Sequence, residues 1–304
     1  MGKYYVGISG FRYPGWKKTF YPEKLPSADE LYYASRQVGS IELNGTFYAS
    51  QRPSSFERWH ESTPKNFVFS VKGPRFITHI LRLRNAEQAL STFFASGVLR
   101  LEEKLGPILW QLPPNFKYRK EVLEDFLKLL PHTTKEAAKL AKKANQKYLK
   151  EKIDTRVRKN HRLRHALEVR NDSFKNEPSF LKLLKKYRVA LVCADAPKKW
   201  PYFEESTASF FYARLHGGTA LYKSEYGLPC LRKWAKHARK WHGSKGRGKD
   251  VFVYFDNDVK THAPLRCDEV DRDSGRNAED SLNKDGRLIT GDNELTKKVV
   301  AYFW

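Results

Sequence analysis

Short apolar runs recur eight times along the chain, at 4–9, 40–44, 67–72, 107–112, 165–170, 189–195, 210–216 and 251–256. Each is of strand length, rich in Val, Ile, Phe or Tyr, and bounded by Gly, Pro, Asn or Asp, the pattern of a buried strand. Stretches of helical period lie between them, at 28–37, 54–61, 86–104, 120–130, 178–187 and 231–241. In the last of these Leu231, Trp234, Ala235, Ala238 and Trp241 share one helical face. Alternating strands and helices require parallel pairing through right-handed crossovers. The pattern therefore predicts an α/β fold, a (β/α)8 TIM-type barrel forming one domain over 1–304. An open doubly wound sheet would bring a Gly-rich first turn, and the chain has none.

Three segments depart from the simple repeat. The link 196–208 is short and carries no clear helical period. Residues 133–160 are Ala- and Lys-rich, which predicts a basic helical insertion between strands four and five. Its weak apolar stripe implies light packing. After Pro264 the chain becomes polar and acidic, so 265–304 is expected to be an extension. Within it 268–287 reads as a loop, and the apolar end 299–304 is expected to dock on the barrel.

Composition sharpens this picture. Aromatic residues make up 14% of the 304 residues, which argues for a packed core and against a disordered chain. Lys and Arg number 57 against 34 Asp and Glu, a formal charge of +23, and the excess is unevenly placed. Segment 131–164 has twelve Lys/Arg against three acids, a net of +9; segment 231–249 has eight and no acid, a net of +8. Segment 268–294 has nine acids against four Lys/Arg, a net of −5. Two readings stand side by side: solvated helix faces, or an electrostatic footprint for a polyanion such as DNA or RNA. No apolar run reaches the ~18 residues of a membrane helix, and the N-terminus lacks the apolar stretch of a signal peptide. The three cysteines, Cys193, Cys230 and Cys267, lie far apart. A cytoplasmic home and no membrane association are expected.

Barrels place their chemistry at the C-terminal strand ends. Those ends read Ser9; Glu42 and Asn44; Lys72; Gln111; Glu168 and Arg170; Asp195; Arg214 and His216; Tyr254, Asp256 and Asn257. Glu42/Asn44, Glu168/Arg170 and Arg214/His216 are spaced i, i+2, so each pair shares one face of its strand. Burying such groups without partners costs several kcal/mol, so they must be paired, ligand-bound or wet. A pocket follows as one expectation, and a closed ion-pair network plugging the barrel as the other. In the pocket, Glu168, Asp195 and His216 would handle protons, or hold a divalent metal whose ligand set no close motif defines. Lys72, Arg170 and Arg214 would hold phosphate, with Gly217-Gly218-Thr219 offering backbone N–H groups. Asn44 and Gln111 suit hydroxyl recognition. Phe11, Tyr13 and Trp16 are candidates either for base stacking or for rim packing. GSKGRGK at 243–249 imitates a Walker loop, but an Asp replaces its Ser/Thr and a strand follows in place of a helix.

Several stretches together resemble domain-of-unknown-function family 72, the YecE-like barrels. They are GISGFRYPGW (7–16), SIELNGTFY (40–48), TPKNFVFSVKGPRFITH (63–79), LGPILWQLPPNF (105–116), HALEVRNDSF (165–174), VALVCAD (189–195), YARLHG (212–217) and VYFDND (253–258). The resemblance implies a TIM-type barrel with a polar pocket at these same strand ends. It implies a Glu-x-Asn-x-Thr-Phe-Tyr element at Glu42, Asn44, Thr46, Phe47 and Tyr48, a Lys-x-Pro-Arg…Thr-His element at Lys72, Pro74, Arg75, Thr78 and His79, Glu-x-Arg at Glu168 and Arg170, and Arg-x-His-Gly at Arg214, His216 and Gly217. The insertion and the acidic stretch look like additions to the family's plan. Fold analogy with endonuclease-IV-like and xylose-isomerase-like barrels leaves the activity open. The leading expectation is binding or hydrolysis of a phosphate-containing ligand, plausibly nucleic acid. A small-molecule enzyme acting on a sugar or sugar phosphate and a non-catalytic scaffold are the alternatives.

Overall fold

A computed structural model describes residues 2–196, 199–217, 228–243 and 248–256. Eight strands pair in chain order: β1 (Tyr4–Ser9), β2 (Ser40–Leu43), β3 (Val68–Lys72), β4 (Leu105–Gln111), β5 (Arg164–Glu168), β6 (Val189–Asp195), β7 (Phe210–Leu215) and β8 (Asp250–Phe255). All pairs are parallel, and β8 closes on β1 through Tyr4↔Val251 to Ile8↔Phe255. The expected (β/α)8 TIM-type barrel is thus formed. Its helices are α1 (Glu30–Ala34), α2 (Gly45–Tyr48), α3 (Pro53–Ser62), α4 (Glu87–Ala95), α5 (Lys120–Leu129), α6 (Thr134–Ala141), α7 (Pro178–Lys186) and α8 (Leu228–His242).

Strand alternation sorts the side chains into two cores. Ile8, Ile41, Val71, Ile108, Trp110, Leu167, Leu191, Ala213 and Val253 face outward into a continuous core shared with the helices. Leu109, Ala166, Ala190, Val192, Phe210, Tyr212, Phe252 and Tyr254 form a separate cluster inside the barrel. One layer higher the same inward register turns polar, at Ser9, Glu42, Lys72, Gln111, Glu168, Arg214 and Asp256, all buried. The barrel is therefore dry at its waist and charged at its mouth. His165 belongs to the outer core, where its Nδ1 accepts from Trp110 Nε1 (3.2 Å) and its Nε2 donates to the Pro131 carbonyl (2.7 Å).

The predicted stripe of α8 is the observed one: Leu231, Trp234, Ala235, Ala238 and Trp241 are buried, while Arg232, Lys233, Lys236, Arg239 and Lys240 are exposed. The predicted helix over 86–104 is interrupted. Gly97 takes φ +102°, where a Cβ would strike Pro53, and a tighter 3-10 stretch, Val98–Lys104, follows α4. The predicted helix over 133–160 is shorter still. A capping box joins Thr133 and Glu136 at the start of α6, and Ala137 and Ala141 are buried. Beyond Ala144 the Asn145 side chain caps Lys147 N, leaving a single turn at Gln146–Tyr148. Asp154 is then drawn into a buried pair with Arg100 (2.7 Å), which pins the segment as coil despite its helix propensity. Residues 199–208 contain no helix, as the sequence pattern suggested. The extension 265–304, with its apolar end, lies outside the described residues. Among the described residues no helix is long and apolar enough to cross a membrane.

Candidate functional site

Alternation along β7 sends Tyr212 and Arg214 into the barrel. The Arg214 guanidinium is fully buried and grips three carboxylates. It donates Nε to Glu42 Oε2 (3.1 Å) and Nη2 to Glu42 Oε1 (2.8 Å), a forked pair across the barrel. Nη1 reaches Glu168 Oε2 (2.8 Å), and Nη2 also reaches Asp256 Oδ2 (2.8 Å) and Ser9 Oγ (3.2 Å). Glu42 accepts further bonds from Ser9 Oγ (2.6 Å) and Tyr212 OH (2.5 Å), and Glu168 Oε1 accepts from Arg170 Nε (2.5 Å). Burial alone would raise the Glu168 and Asp256 carboxyls, but Arg170 and Arg214 at Glu168, and Arg214 and the His216 hydrogen bond at Asp256, hold both well below the usual range.

His216 stands beside this network. Its Nδ1 lies 2.9 Å from Asp256 Oδ2 and its Nε2 3.9 Å from Glu168 Oε1. Burial lowers its pKa against the pull of Asp256, so the imidazole is neutral near pH 7. Trp200, on the β6–β7 link, meets His216 edge-on at 4.8 Å and carries the Arg170 guanidinium over its face at 3.6 Å.

The other half of the mouth is built on β3. Thr46 of α2 donates to the Lys72 carbonyl (2.7 Å), tying α2 to the strand end. Lys72 Nζ stands 4.3 Å from the Phe47 ring centroid. Its side chain is 7% exposed, and burial together with Arg214 lowers its pKa to about 8. The nearby carboxylates are bonded to Arg214 and Arg170, and among the described residues Lys72 forms no ion pair. At Gly73 the chain passes so close to Trp110 that a Cβ would overlap its ring. One π-helical turn, Phe76–Ile80, then swings His79 edge-on to Phe47 at 5.1 Å, its Nδ1 2.8 Å from Thr78 Oγ1. Burial, then Lys72, Arg75, Arg170 and Arg82, push His79 down to about 4. Left-handed φ values at Arg82 (51°), Leu83 (67°) and Asn85 (48°) follow, steadied by Arg82 donating to the Asn115 side chain (3.1 Å) and carbonyl (2.9 Å).

Most of the expected residues therefore converge. Glu42, Asn44, Lys72, Gln111, Glu168, Arg170, Arg214 and His216 share the mouth; Arg75 and His79 stand at its β3 side. Asn44 donates to Ser9 Oγ (2.9 Å), and among the described residues its buried Oδ1 has no partner. Gln111 donates to the Leu112 carbonyl (3.1 Å). Gly217 takes φ +122°, which favours glycine, directly after His216. Asn257, Gly218 and Thr219 lie outside the described residues.

Three expectations change. Asp195 has the strand parity of Cys193, which packs in the outer core, and its charge acts on Cys193 and on Cys230 of α8. His216 N–H donates to the Asp195 backbone carbonyl (3.0 Å), but the carboxylate at the His216 ring is that of Asp256. The signal was present, because Asp256 follows inward Tyr254 by two residues, whereas Asp195 follows outward Cys193 by two. Arg214, expected to hold phosphate, is instead enclosed by carboxylates, so the plug reading describes this deeper half of the site. Phe11 and Trp16 are buried, and Tyr13 OH bonds to the Ser9 carbonyl (2.5 Å), so the three form rim packing. Tyr212 and Trp200 were not anticipated; each reads in sequence as an ordinary core aromatic.

The donors at the mouth do not suit a divalent metal. The Arg214 guanidinium already lies between Glu42, Glu168 and Asp256, where a cation would sit. Among the described residues the group whose ligand atoms do cluster is His60, Glu102 and Glu103, at the opposite end of the barrel.

A parallel eight-stranded barrel with an ionisable ring at its C-terminal mouth defines a TIM-type protein whose chemistry belongs to that mouth. The family model described as protein of unknown function DUF72 matches residues 5–287, and the chain belongs to that family. It is 32% identical over 122 residues to UPF0759 protein YunF of Bacillus subtilis, covering 38% of this chain and 42% of that protein. To UPF0759 protein YecE of Escherichia coli K12 it is 33% identical over 128 residues, 42% of this chain and 44% of that one. The matched stretch thus spans less than half of these relatives' length. Among solved structures, a DUF72 family protein of Thermotoga maritima MSB8 superposes with TM-score 0.66 at 24% identity, covering 86% of this chain and 95% of that one. One of Enterococcus faecalis V583 gives 0.65 at 19%, covering 88% and 95%. These likenesses concern the fold.

Proposed function

We propose that the barrel mouth binds a phosphate-containing ligand on the side built by β3. One observation carries this reading. Lys72 is buried 4.3 Å from the Phe47 ring centroid, with His79 on the same ring, while the carboxylates that could neutralise Lys72 are engaged elsewhere. A buried, unpaired ammonium is costly, and an anion at this spot would remove that cost. The unpartnered Asn44 Oδ1 offers an acceptor for a ligand hydroxyl. Arg214 then acts as a positioning residue: it fixes Glu168 and Asp256, and Asp256 orients the neutral His216 for proton transfer. The exposed cations of α8 and of the 134–159 segment would track a nucleic-acid backbone if the phosphate belongs to one.

Isothermal titration with ribose 5-phosphate tests the reading. Saturable binding is expected, with Lys72→Met weakening it roughly tenfold or more, the worth of a charge-assisted bond. Absence of binding, or an unchanged affinity in Lys72→Met, overturns it.

A further inference from the structure

Beside the cationic mouth lies a cavity of about 560 Å3 between α2, the π-turn and α4, within the range of small-ligand sites. Tyr48, Phe76 and Tyr148 line it although they are 70%, 52% and 60% exposed. Three large aromatics left in water around one cavity are unusual for a structural role, since burying each would stabilise the fold. Polar side chains also line it, among them Arg75, Asn85 and Gln88. The cavity borders the mouth across a shared wall. Phe47 lines it and also carries Lys72 Nζ 4.3 Å and His79 5.1 Å from its ring centroid, so one ring separates the two compartments. Arg75 likewise lines the cavity and acts on His79.

We infer that this cavity is a nucleobase subsite, and that the ligand of the mouth is a nucleotide whose phosphate sits among Lys72, Arg75 and His79. The inference rests on the phosphate reading above and deepens it. Aromatic faces stack any base, amide side chains such as Asn85 and Gln88 can pair with base edges, and the cations stand where the phosphate of the same molecule would emerge. Tyr148 brings a wall from the segment between β4 and β5.

The test compares AMP, UMP, ribose 5-phosphate and adenosine on the full chain by titration calorimetry. AMP or UMP is expected to bind roughly tenfold or more tighter than ribose 5-phosphate, the contribution of base stacking. Tyr148→Ala and Phe76→Ala, both at exposed positions that leave the core intact, should each erase most of that ratio while sparing ribose 5-phosphate. Lys72→Met should weaken nucleotide and sugar phosphate equally. Equal affinity for nucleotide and ribose 5-phosphate, or a ratio untouched by both aromatic variants, overturns the nucleobase subsite and leaves the phosphate reading standing. Adenosine bound through Tyr148 with neither phosphate compound bound overturns the phosphate reading and, with it, the joint site. No binding by any of the four overturns both. A 5′-phosphorylated oligonucleotide separates the two sources of the same chemistry: binding as tight as AMP assigns a strand end, and exclusion assigns a free nucleotide.

Discussion

Replacing Arg214 with Met gives the largest effect the site can produce. The guanidinium is fully buried and makes five hydrogen bonds, to Ser9, Glu42, Glu168 and Asp256. Methionine replaces only the aliphatic stem, leaving Glu42 and Asp256 without that cation and Glu168 with Arg170 alone. Breaking one partner out of a buried ion pair costs about 3–5 kcal/mol. Each kcal/mol moves the midpoint of a domain of this size by about 2–4 °C, so at pH 7.5 the variant should melt roughly 6–20 °C below the parent. The gap should also depend on pH. In the parent, Glu168 and Asp256 have lowered pKa values, so their stabilisation is complete above the usual carboxylate range and is lost as pH falls below it. In the variant Asp256 loses the guanidinium and Glu168 keeps only Arg170, so burial weighs more on both carboxyls and they take up protons at a higher pH than in the parent. Their neutral forms tolerate burial, and the difference in melting temperature should shrink. Thermal melts followed by circular dichroism between pH 4.5 and 8 give both numbers. A shift under 2 °C at pH 7.5, or a gap that widens toward pH 5, would refute the view that Arg214 holds the carboxylates together.

Other outcomes follow from the same geometry. Asp256→Asn should lower the melting temperature by several degrees and shift the His216 titration, read by histidine NMR, to lower pH, because Asp256, ahead of Glu168, raises it. Asp195→Asn should leave the affinity for ribose 5-phosphate within twofold, since its side chain lies outside the barrel mouth; a tenfold loss would contradict that placement. Sugar phosphate affinity should fall progressively as pH rises from 7 through about 8, because Lys72 loses its charge across that range; an affinity that is constant to pH 9.5 would argue against Lys72 as the contact.

The barrel was legible because it needs only local patterning. Eight apolar runs with helical periods between them name a parallel closed sheet, and the period of two along each strand places Glu42, Lys72, Glu168 and Arg214 on one ring. Pairing was less legible. Arg214 and Glu42 are 172 residues apart, and a list of strand-end charges does not say which cations keep a carboxylate and which do not. Asp195 was misplaced because it was read as a strand end without following parity from Cys193. The insertion was overextended because helix propensity was weighed without Asp154, whose burial beside Arg100 fixes the chain as coil. Phe76 and Tyr148 carried no signal, and Tyr48 was met only within the resemblance, as aromatic letters in sequence do not distinguish a core ring from one left facing a cavity.

The most direct measurement is the position of a bound anion. Crystals soaked in tungstate, a heavy phosphate mimic, should show an anomalous peak within hydrogen-bonding distance of Lys72, flanked by His79 and Arg75, and that peak should vanish in Lys72→Met. Peaks confined to the exposed lysines of α8 and the 134–159 segment, with none at Lys72, would contradict the account.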